Sequence, residues 1–207
     1  KSTMTELYSI CIDGGRPVQV LATPAEEVSY IGESDSFVYQ DCKGGENIWR
    51  KHHVSSIAKD IWMYDGNSHK KLTSFVGEDR SPRVSKDGKT VYFMSERDGS
   101  FNVYSFPVDN PENVTRITRH KTHPVRFLTV SDNGMLCYGY DGDIYVKSGN
   151  SQPEKLNISL KSDISSSDVS VFPVTGGADN DVSKDGKQIA FINRGEVFVT
   201  STDYNTV

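Results

Sequence analysis

The sequence feature that most constrains the fold is a repeated turn, Ser-Lys-Asp-Gly-Lys, followed each time by β-branched, apolar or aromatic residues. The turn occurs at residues 85–89 and 183–187, and a weaker copy, Ser-Asp-Asn-Gly, occupies residues 131–134. The three copies begin 46 and 52 residues apart. Because Asp-Gly supplies the positive φ of a tight hairpin and β-branched residues suit a pleated surface, each copy predicts a pair of antiparallel strands.

Residues 81–118 contain the most complete unit. Three turn signals divide this stretch into four short runs rich in Val, Tyr, Phe, Ile and Thr. We predict strands near residues 82–85, 90–95, 102–106 and 115–118, joined as an antiparallel meander. Four-stranded units that recur every 40 to 50 residues, roughly, are typical of β-propeller blades, each of which covers a face of its neighbour. The sequence therefore predicts an all-β chain built as a β-propeller.

The repeat also gives the expected domain organisation, a single propeller segment. Its parts are a partial blade at 5–21, a blade at 24–75 with an insertion at 41–59, blades at 82–118 and 124–158, a loop insertion at 159–181, and a partial blade at 182–207. Three full units between two partial ones are few for a ring of six or seven blades. We therefore expect an incomplete segment of a larger ring; a small ring closed by joining the two ends is the alternative.

Composition and motifs limit the function. The 207 residues carry a formal net charge of -5 and are 35% hydrophobic, and no run approaches the roughly 18 apolar residues of a membrane-spanning helix. A chain of this charge is not expected to bind nucleic acid. The sequence has no nucleophile elbow, zinc-ligand spacing or phosphate-binding glycine loop. We therefore expect no catalytic residue, no cofactor and no metal in this chain.

The insertion at 41–59 concentrates basic and aromatic residues where a hairpin needs only a few residues. It contains Trp49, Arg50, Lys51, His52 and His53 in succession. Two interpretations stay open. The basic side chains either lie in a solvated loop, or face the interior and hold the carboxylate of a peptide. Adjacent histidines on an extended chain point to opposite faces, so a joint metal site is not expected.

The Asp-Gly repeat, the run 49–53 and the sequence Asp60-Ile61-Trp62 together resemble the N-terminal propeller of tricorn-type serine peptidases. The repeat alone is shared with the TolB propeller and with relatives of prolyl oligopeptidase. The resemblance implies a parent protein with downstream PDZ and catalytic domains, neither of which lies in these 207 residues. It implies that this chain is non-catalytic and gates peptide access or product exit. It also implies peptide binding by Arg50, Lys51, His52 and His53.

A second hypothesis is a TolB-like protein-interaction propeller without peptidase activity. An independent hydrolase is the third, although no nucleophile motif marks one. The expected partners are a peptide substrate and the downstream domains, and homo-oligomer formation is left open. The resemblance implies a periplasmic or secreted protein, with the cytoplasm as the alternative.

Overall fold

The computed structural model describes residues 4–45, 47–159 and 176–203, and every regular element in these ranges is a β-strand. The chain divides into two units, Lys1–Ile158 and Ser159–Val207, which are described separately. The predicted all-β fold class is confirmed. In the described ranges, no helix has the length and apolar character needed to cross a membrane.

The first unit contains a two-stranded sheet followed by three four-stranded sheets, each antiparallel with its strands in sequence order. Its strands are β1 (Leu7–Ser9), β2 (Val18–Leu21), β3 (Ala25–Tyr30), β4 (Phe37–Asp41), β5 (Ile61–Tyr64), β6 (His69–Lys71), β7 (Asp79–Val84), β8 (Thr90–Ser95), β9 (Asn102–Pro107), β10 (Thr115–Arg116), β11 (Arg126–Val130), β12 (Leu136–Tyr140), β13 (Asp143–Lys147) and β14 (Glu154–Lys155). The meander predicted for residues 81–118 is sheet β7–β10. Its first strand begins three residues before the predicted start, because Asp79 and Arg80 also pair with β8.

The repeated turn folds as its composition predicts. Gly88 has a φ of +70°, and its N–H donates to the carbonyl of Ser85 at 2.8 Å. The carboxylate of Asp87 accepts the Ser85 hydroxyl at 2.6 Å and the N–H of Lys89 at 3.1 Å. These bonds lower the pKa of Asp87. Gly186 repeats the geometry with a φ of +71°. The turn is thus stabilised within five residues, which explains why it is recognisable in the sequence.

The four-stranded sheets of the first unit pack face to face. One core lies between sheets β3–β6 and β7–β10, and a second lies between sheets β7–β10 and β11–β14. Phe93 belongs to the first core and Met94, the next residue on β8, belongs to the second. Successive side chains of a strand point to opposite faces, so the middle sheet contributes to both cores. Burial of each large apolar side chain stabilises the fold by about 1.5–3 kcal/mol.

The first strand of every sheet from β3 onward carries the same irregularity. The register shifts between Glu26 and Ser29 in β3, and at the corresponding places in β7, β11 and the second unit. Each shift contains one non-glycine residue at positive φ: Glu27, Ser81, Phe127 and Asp179. A left-handed residue of this kind costs about 1–3 kcal/mol and is found where a β-bulge redirects side chains. The sequence repeat did not predict these bulges.

The second unit is a three-stranded antiparallel sheet formed by β15 (Ala178–Val182), β16 (Gln188–Asn193) and β17 (Glu196–Ser201). The rings of Phe191 and Phe198 stack at 5.6 Å across two of these strands. Strand β15 begins inside the loop predicted at 159–181, because residues 178–181 pair with β16. This strand starts four residues before 182, where the last partial blade is predicted to begin; the blade boundaries stay a prediction. The rest of that loop, at 160–175, lies outside the described residues.

Candidate functional site

A cavity of about 340 Å³ opens in the first unit where the bulged strands β3, β7 and β11 meet the insertion. We call it the inner-strand pocket. Its charged lining consists of four basic residues and two acidic ones, Lys59, Arg80, Arg83, Arg126, Glu26 and Glu27. The lining thus has a surplus of two positive charges in a chain whose net charge is -5. Local charge of one sign in a concave site favours ligands of the opposite sign.

Two arginines share one aromatic ring beneath the pocket. The guanidinium carbon of Arg80 lies 4.3 Å from the ring centroid of Phe101, and that of Arg126 lies 5.1 Å from the same centroid. Phe101 is fully buried. Guanidinium groups stack favourably on aromatic faces, so Phe101 fixes both side chains. Arg80 and Arg126 hold the same place in their strands, five residues before the serine that opens the following turn.

The acidic side of the pocket is occupied by internal partners. Glu26 accepts hydrogen bonds from Lys59 at 2.8 Å and from Gln40 at 2.9 Å. Burial raises the pKa of Glu26, but these two bonds, the charge of Lys59 and a bond with Cys42 together outweigh it, and the pKa is lowered. Glu27 pairs with Arg83, which also donates to the carbonyl of Leu128 at 3.1 Å. The two carboxylates therefore neutralise Lys59 and Arg83. Arg80 has Glu78 at 3.5 Å, so Arg126 is the pocket arginine that has no ion pair among the described residues.

Residues 47–53 of the insertion form a segment that we call the strap. Ile48 and Trp49 of the strap line the pocket. The carbonyl of Ile48 accepts Nη1 of Arg80 at 3.0 Å, and the carbonyl of Trp49 accepts Nη2 of Arg126 at 3.4 Å. The Trp49 ring meets the Phe127 ring edge-to-face at 6.1 Å. Trp49 remains 59% exposed and Phe127 68% exposed. The strap thus adds an exposed aromatic pair to a basic pocket.

The far end of the strap is held by a buried carboxylate. Glu96 accepts the backbone N–H of His52 at 2.6 Å and that of His53 at 3.0 Å. His52 has a φ of +55°, which brings both N–H groups to one side. A carboxylate that accepts two backbone N–H groups forms strong, charge-assisted bonds. This end of the strap is therefore firmly anchored.

The structure separates the four residues that the sequence singled out. The side chains of Arg50, Lys51 and His52 are exposed, and His53 is buried. None of the four lines the inner-strand pocket; the strap residues that do are Ile48 and Trp49. Peptide binding by the four residues stays a prediction. Among the described residues, no three histidine, cysteine or acidic side chains form a group that could hold a metal ion.

His53 has a serine on one side and a carboxylate on the other. Its Nε2 lies 2.7 Å from the hydroxyl of Ser55, and its Nδ1 lies 3.5 Å from Oε1 of Glu78. This order of groups is that of a Ser-His-acid triad. The Ser55 hydroxyl, however, also accepts the N–H of Ile57 at 3.2 Å, which closes a local turn. We therefore assign these three side chains a structural role.

The predicted site residues did not include Arg80, Arg126 and Lys59, because the prediction rested on the basic run at 49–53. The available signal was positional. Arg80 and Arg126 hold equivalent positions in two repeats, and Glu26 holds the same position in β3. Comparing this one position across the sheets identifies the charged side chains that reach the pocket.

Comparisons with known proteins identify the type of fold. No family model matches the chain, and a search of curated proteins finds no match. Among solved structures, putative TolB from Agrobacterium tumefaciens is similar with a TM-score of 0.60 at 20% identity, over 73% of this chain and 56% of that one. TolB from Acinetobacter baumannii has a TM-score of 0.57 at 20% identity, over 96% of this chain and 46% of that one.

This chain therefore spans about half the length of the solved structures it matches. At this level of identity the likeness shows the fold alone. The described sheets have the fold of β-propeller blades, as the repeat predicted. Neither likeness bears on the tricorn-type peptidase context.

Proposed function

We propose that this chain is a protein-interaction propeller that binds an extended segment of a partner protein in the inner-strand pocket. The observation that carries the proposal is the combination of exposed Trp49 and Phe127 with the guanidinium of Arg126 at one concave site. Trp and Arg are the residues most enriched among those that dominate binding energy at protein interfaces. A site of this size admits one or two side chains of an extended peptide.

The exposed aromatic pair supplies the favourable free energy. Trp49 and Phe127 contact each other but leave most of their surface uncovered. Covering a large apolar side chain is worth about 1.5–3 kcal/mol. A partner side chain that packs on both rings therefore gains enough free energy for specific, moderate affinity.

A peptide selection tests this proposal. We expect random 12-residue peptides displayed on phage to yield binders of this chain that lose at least about tenfold in affinity with Thr129→Tyr, a free-energy loss of about 1.4 kcal/mol. Thr129 is exposed and lines the pocket, so a tyrosine there fills it. The matched control is Thr115→Tyr on β10, which is also exposed. Titration calorimetry with synthetic peptides measures both; equal affinities for the two variants would refute binding at this site.

A finer proposal is that the chain serves as the non-catalytic propeller of a tricorn-like serine peptidase, and gates or orients peptides for an exported enzyme. The resemblance of residues 49–53 and 60–62 supports it. The exposed side chains of Arg50 and Lys51, next to the pocket-lining Trp49, add to it. In this role the two basic residues anchor the C-terminal carboxylate of a peptide.

This finer role predicts a selective loss of binding. We expect the double change Arg50→Ala, Lys51→Ala to raise the Kd of peptides with a free C-terminus by about tenfold, because a charge-assisted bond to a carboxylate is worth about 1.5–3 kcal/mol. The Kd of the same peptides with an amidated C-terminus should not change. Fluorescence anisotropy of labelled peptides measures both values. Equal effects on both peptide forms would remove the anchoring role and leave the interaction propeller.

A further inference from the structure

The inner-strand pocket contains two guanidinium groups whose hydrogen-bonding capacity the protein does not exhaust. Nε of Arg80 and Nη1 of Arg126 are buried and have no hydrogen-bond partner among the described residues. The Arg80 side chain is only 7% exposed. A buried donor left unsatisfied costs about 1–3 kcal/mol. The two arginines can therefore bind a further acceptor, which the described part of the chain does not supply.

Apart from Glu78, which contacts Arg80 at 3.5 Å, the acceptors that the described residues supply to the two arginines are neutral carbonyls. Arg80 and Arg126 each donate one bond to the strap, to the neutral carbonyls of Ile48 and Trp49. The bond from Arg126 is long, at 3.4 Å. Hydrogen bonds from a guanidinium to a carboxylate are roughly twice as strong as those between neutral groups. A carboxylate that enters the pocket is therefore favoured over the two carbonyls.

Among the residues that the structure describes, no carboxylate pairs with Arg126. In the described ranges Arg126 forms no ion pair, whereas Arg80 has Glu78 on its buried side at 3.5 Å. Glu26 and Glu27 are held by Lys59 and Arg83. Both guanidinium groups lie over the Phe101 ring and line the same pocket, so an anion in the pocket is attracted to both.

The two ends of the strap are held by different contacts. Its tip, Ile48 and Trp49, is held by the two arginine bonds and by the edge of Phe127. Its base, His52 and His53, is held by the carboxylate of Glu96. Loss of the arginine bonds therefore lets Ile48 and Trp49 shift, while His52 and His53 stay bound to Glu96.

We propose that the inner-strand pocket recognises the carboxylate of an acidic side chain in the partner segment, which displaces the carbonyls of Ile48 and Trp49 from Arg80 and Arg126. The proposal rests on the proposed function and names the chemistry of its ligand. The carboxylate accepts Nη1 and Nη2 of Arg126 together, which satisfies the buried Nη1, and it replaces the Ile48 carbonyl on Nη1 of Arg80. The Trp49 backbone shifts, while the exposed rings of Trp49 and Phe127 take the side chain next to the acidic one.

Acetate is the direct probe of this exchange. We expect sodium acetate, titrated at constant ionic strength against sodium chloride, to change the fluorescence of Trp49 saturably with a midpoint in the millimolar range. Acetamide has the same shape without the charge and should cause no change. The acetate response should vanish in Trp49→Phe, which keeps Trp62 as an internal reference. It should weaken at least about tenfold in Arg126→Gln, or about 1.4 kcal/mol.

The matched control is Arg116→Gln on β10, an arginine that pairs with Asp98 at 3.2 Å and does not line the pocket. It should leave the acetate response unchanged. Equal responses to acetate and acetamide, or an undiminished response in Arg126→Gln, would overturn the exchange. Since acetate needs no partner peptide, this result is independent of the phage selection. Selected peptides that bind at the pocket without an acetate response would refute the exchange and leave the proposed function standing.

The source of the carboxylate is tested with the selected peptides. Each is synthesised with its acidic side chains changed to the corresponding amides, and separately with an amidated C-terminus. Loss of affinity in the first series supports an acidic side chain. Loss in the second series alone would overturn that assignment in favour of a chain end.

Discussion

Replacing Glu78 with alanine is expected to destabilise the fold by about 3–5 kcal/mol, because Arg80 then stays buried without its carboxylate partner. Glu78 is 2% exposed and Arg80 is 6% exposed, so neither side chain can turn to water without local unfolding. Burial lowers the pKa of Arg80, and Glu78 is the strongest of the carboxylates that oppose this shift. The guanidinium nevertheless stays charged near neutral pH.

Urea unfolding at pH 7, followed by circular dichroism, measures this loss. The matched control is Glu112→Ala, an exposed residue, for which the change should stay within about 0.5 kcal/mol. The double change Glu78→Leu, Arg80→Leu is the sharper comparison. Buried ion pairs can be replaced by apolar residues at little cost, so the double variant should be more stable than Glu78→Ala. If Glu78→Ala were as stable as Glu112→Ala, the ion pair would have no part in holding Arg80.

We expect Phe101→Ala to lower the free energy of unfolding by about 3–5 kcal/mol in the same urea assay. We also expect it to abolish the acetate response. Phe101 is fully buried between sheets β7–β10 and β11–β14. It also carries the guanidinium groups of Arg80 and Arg126 on its ring. The substitution therefore leaves a cavity and removes the surface on which both arginines rest.

Phe101→Leu separates these two effects. Leucine keeps most of the volume, so the packing loss should be below about 1.5 kcal/mol. It has no aromatic face, so each cation–π contact, worth about 0.5–2 kcal/mol, is lost. We expect a folded variant with a weakened acetate response. A Phe101→Leu variant with an unchanged acetate midpoint would show that the ring does not position the arginines.

The fold could be predicted from the sequence because its repeated turn is stabilised locally. Asp87 and Gly88 form the turn through bonds to residues no more than three positions away, so the pattern stays visible without tertiary structure. The alternation of apolar residues on β8 follows from strand geometry. The start of β15 was missed because Ala178-Asp179-Asn180-Asp181 has the composition of a loop, and its pairing with β16 comes from the neighbouring strand.

The candidate site was less accessible to sequence reasoning. The basic run at 49–53 attracted attention by composition, but the carbonyls of Ile48 and Trp49 make the contacts across the pocket. Backbone contacts leave no mark on residue type. Arg80 and Arg126 lie 46 residues apart in the sequence, and only the stacking of two sheets on Phe101 brings them together.

In the first strand of each sheet from β3 onward the bulge geometry is shared, while the residue before the left-handed position differs from sheet to sheet. The residue just before each left-handed position is Glu26, Arg80, Arg126 or Ala178. These four differ in charge and size, yet the register shift around them is alike. Duplication or exchange of whole sheets can therefore assemble new combinations of these side chains while the hairpins are inherited unchanged. Such a scaffold diversifies its specificity one interchangeable residue at a time.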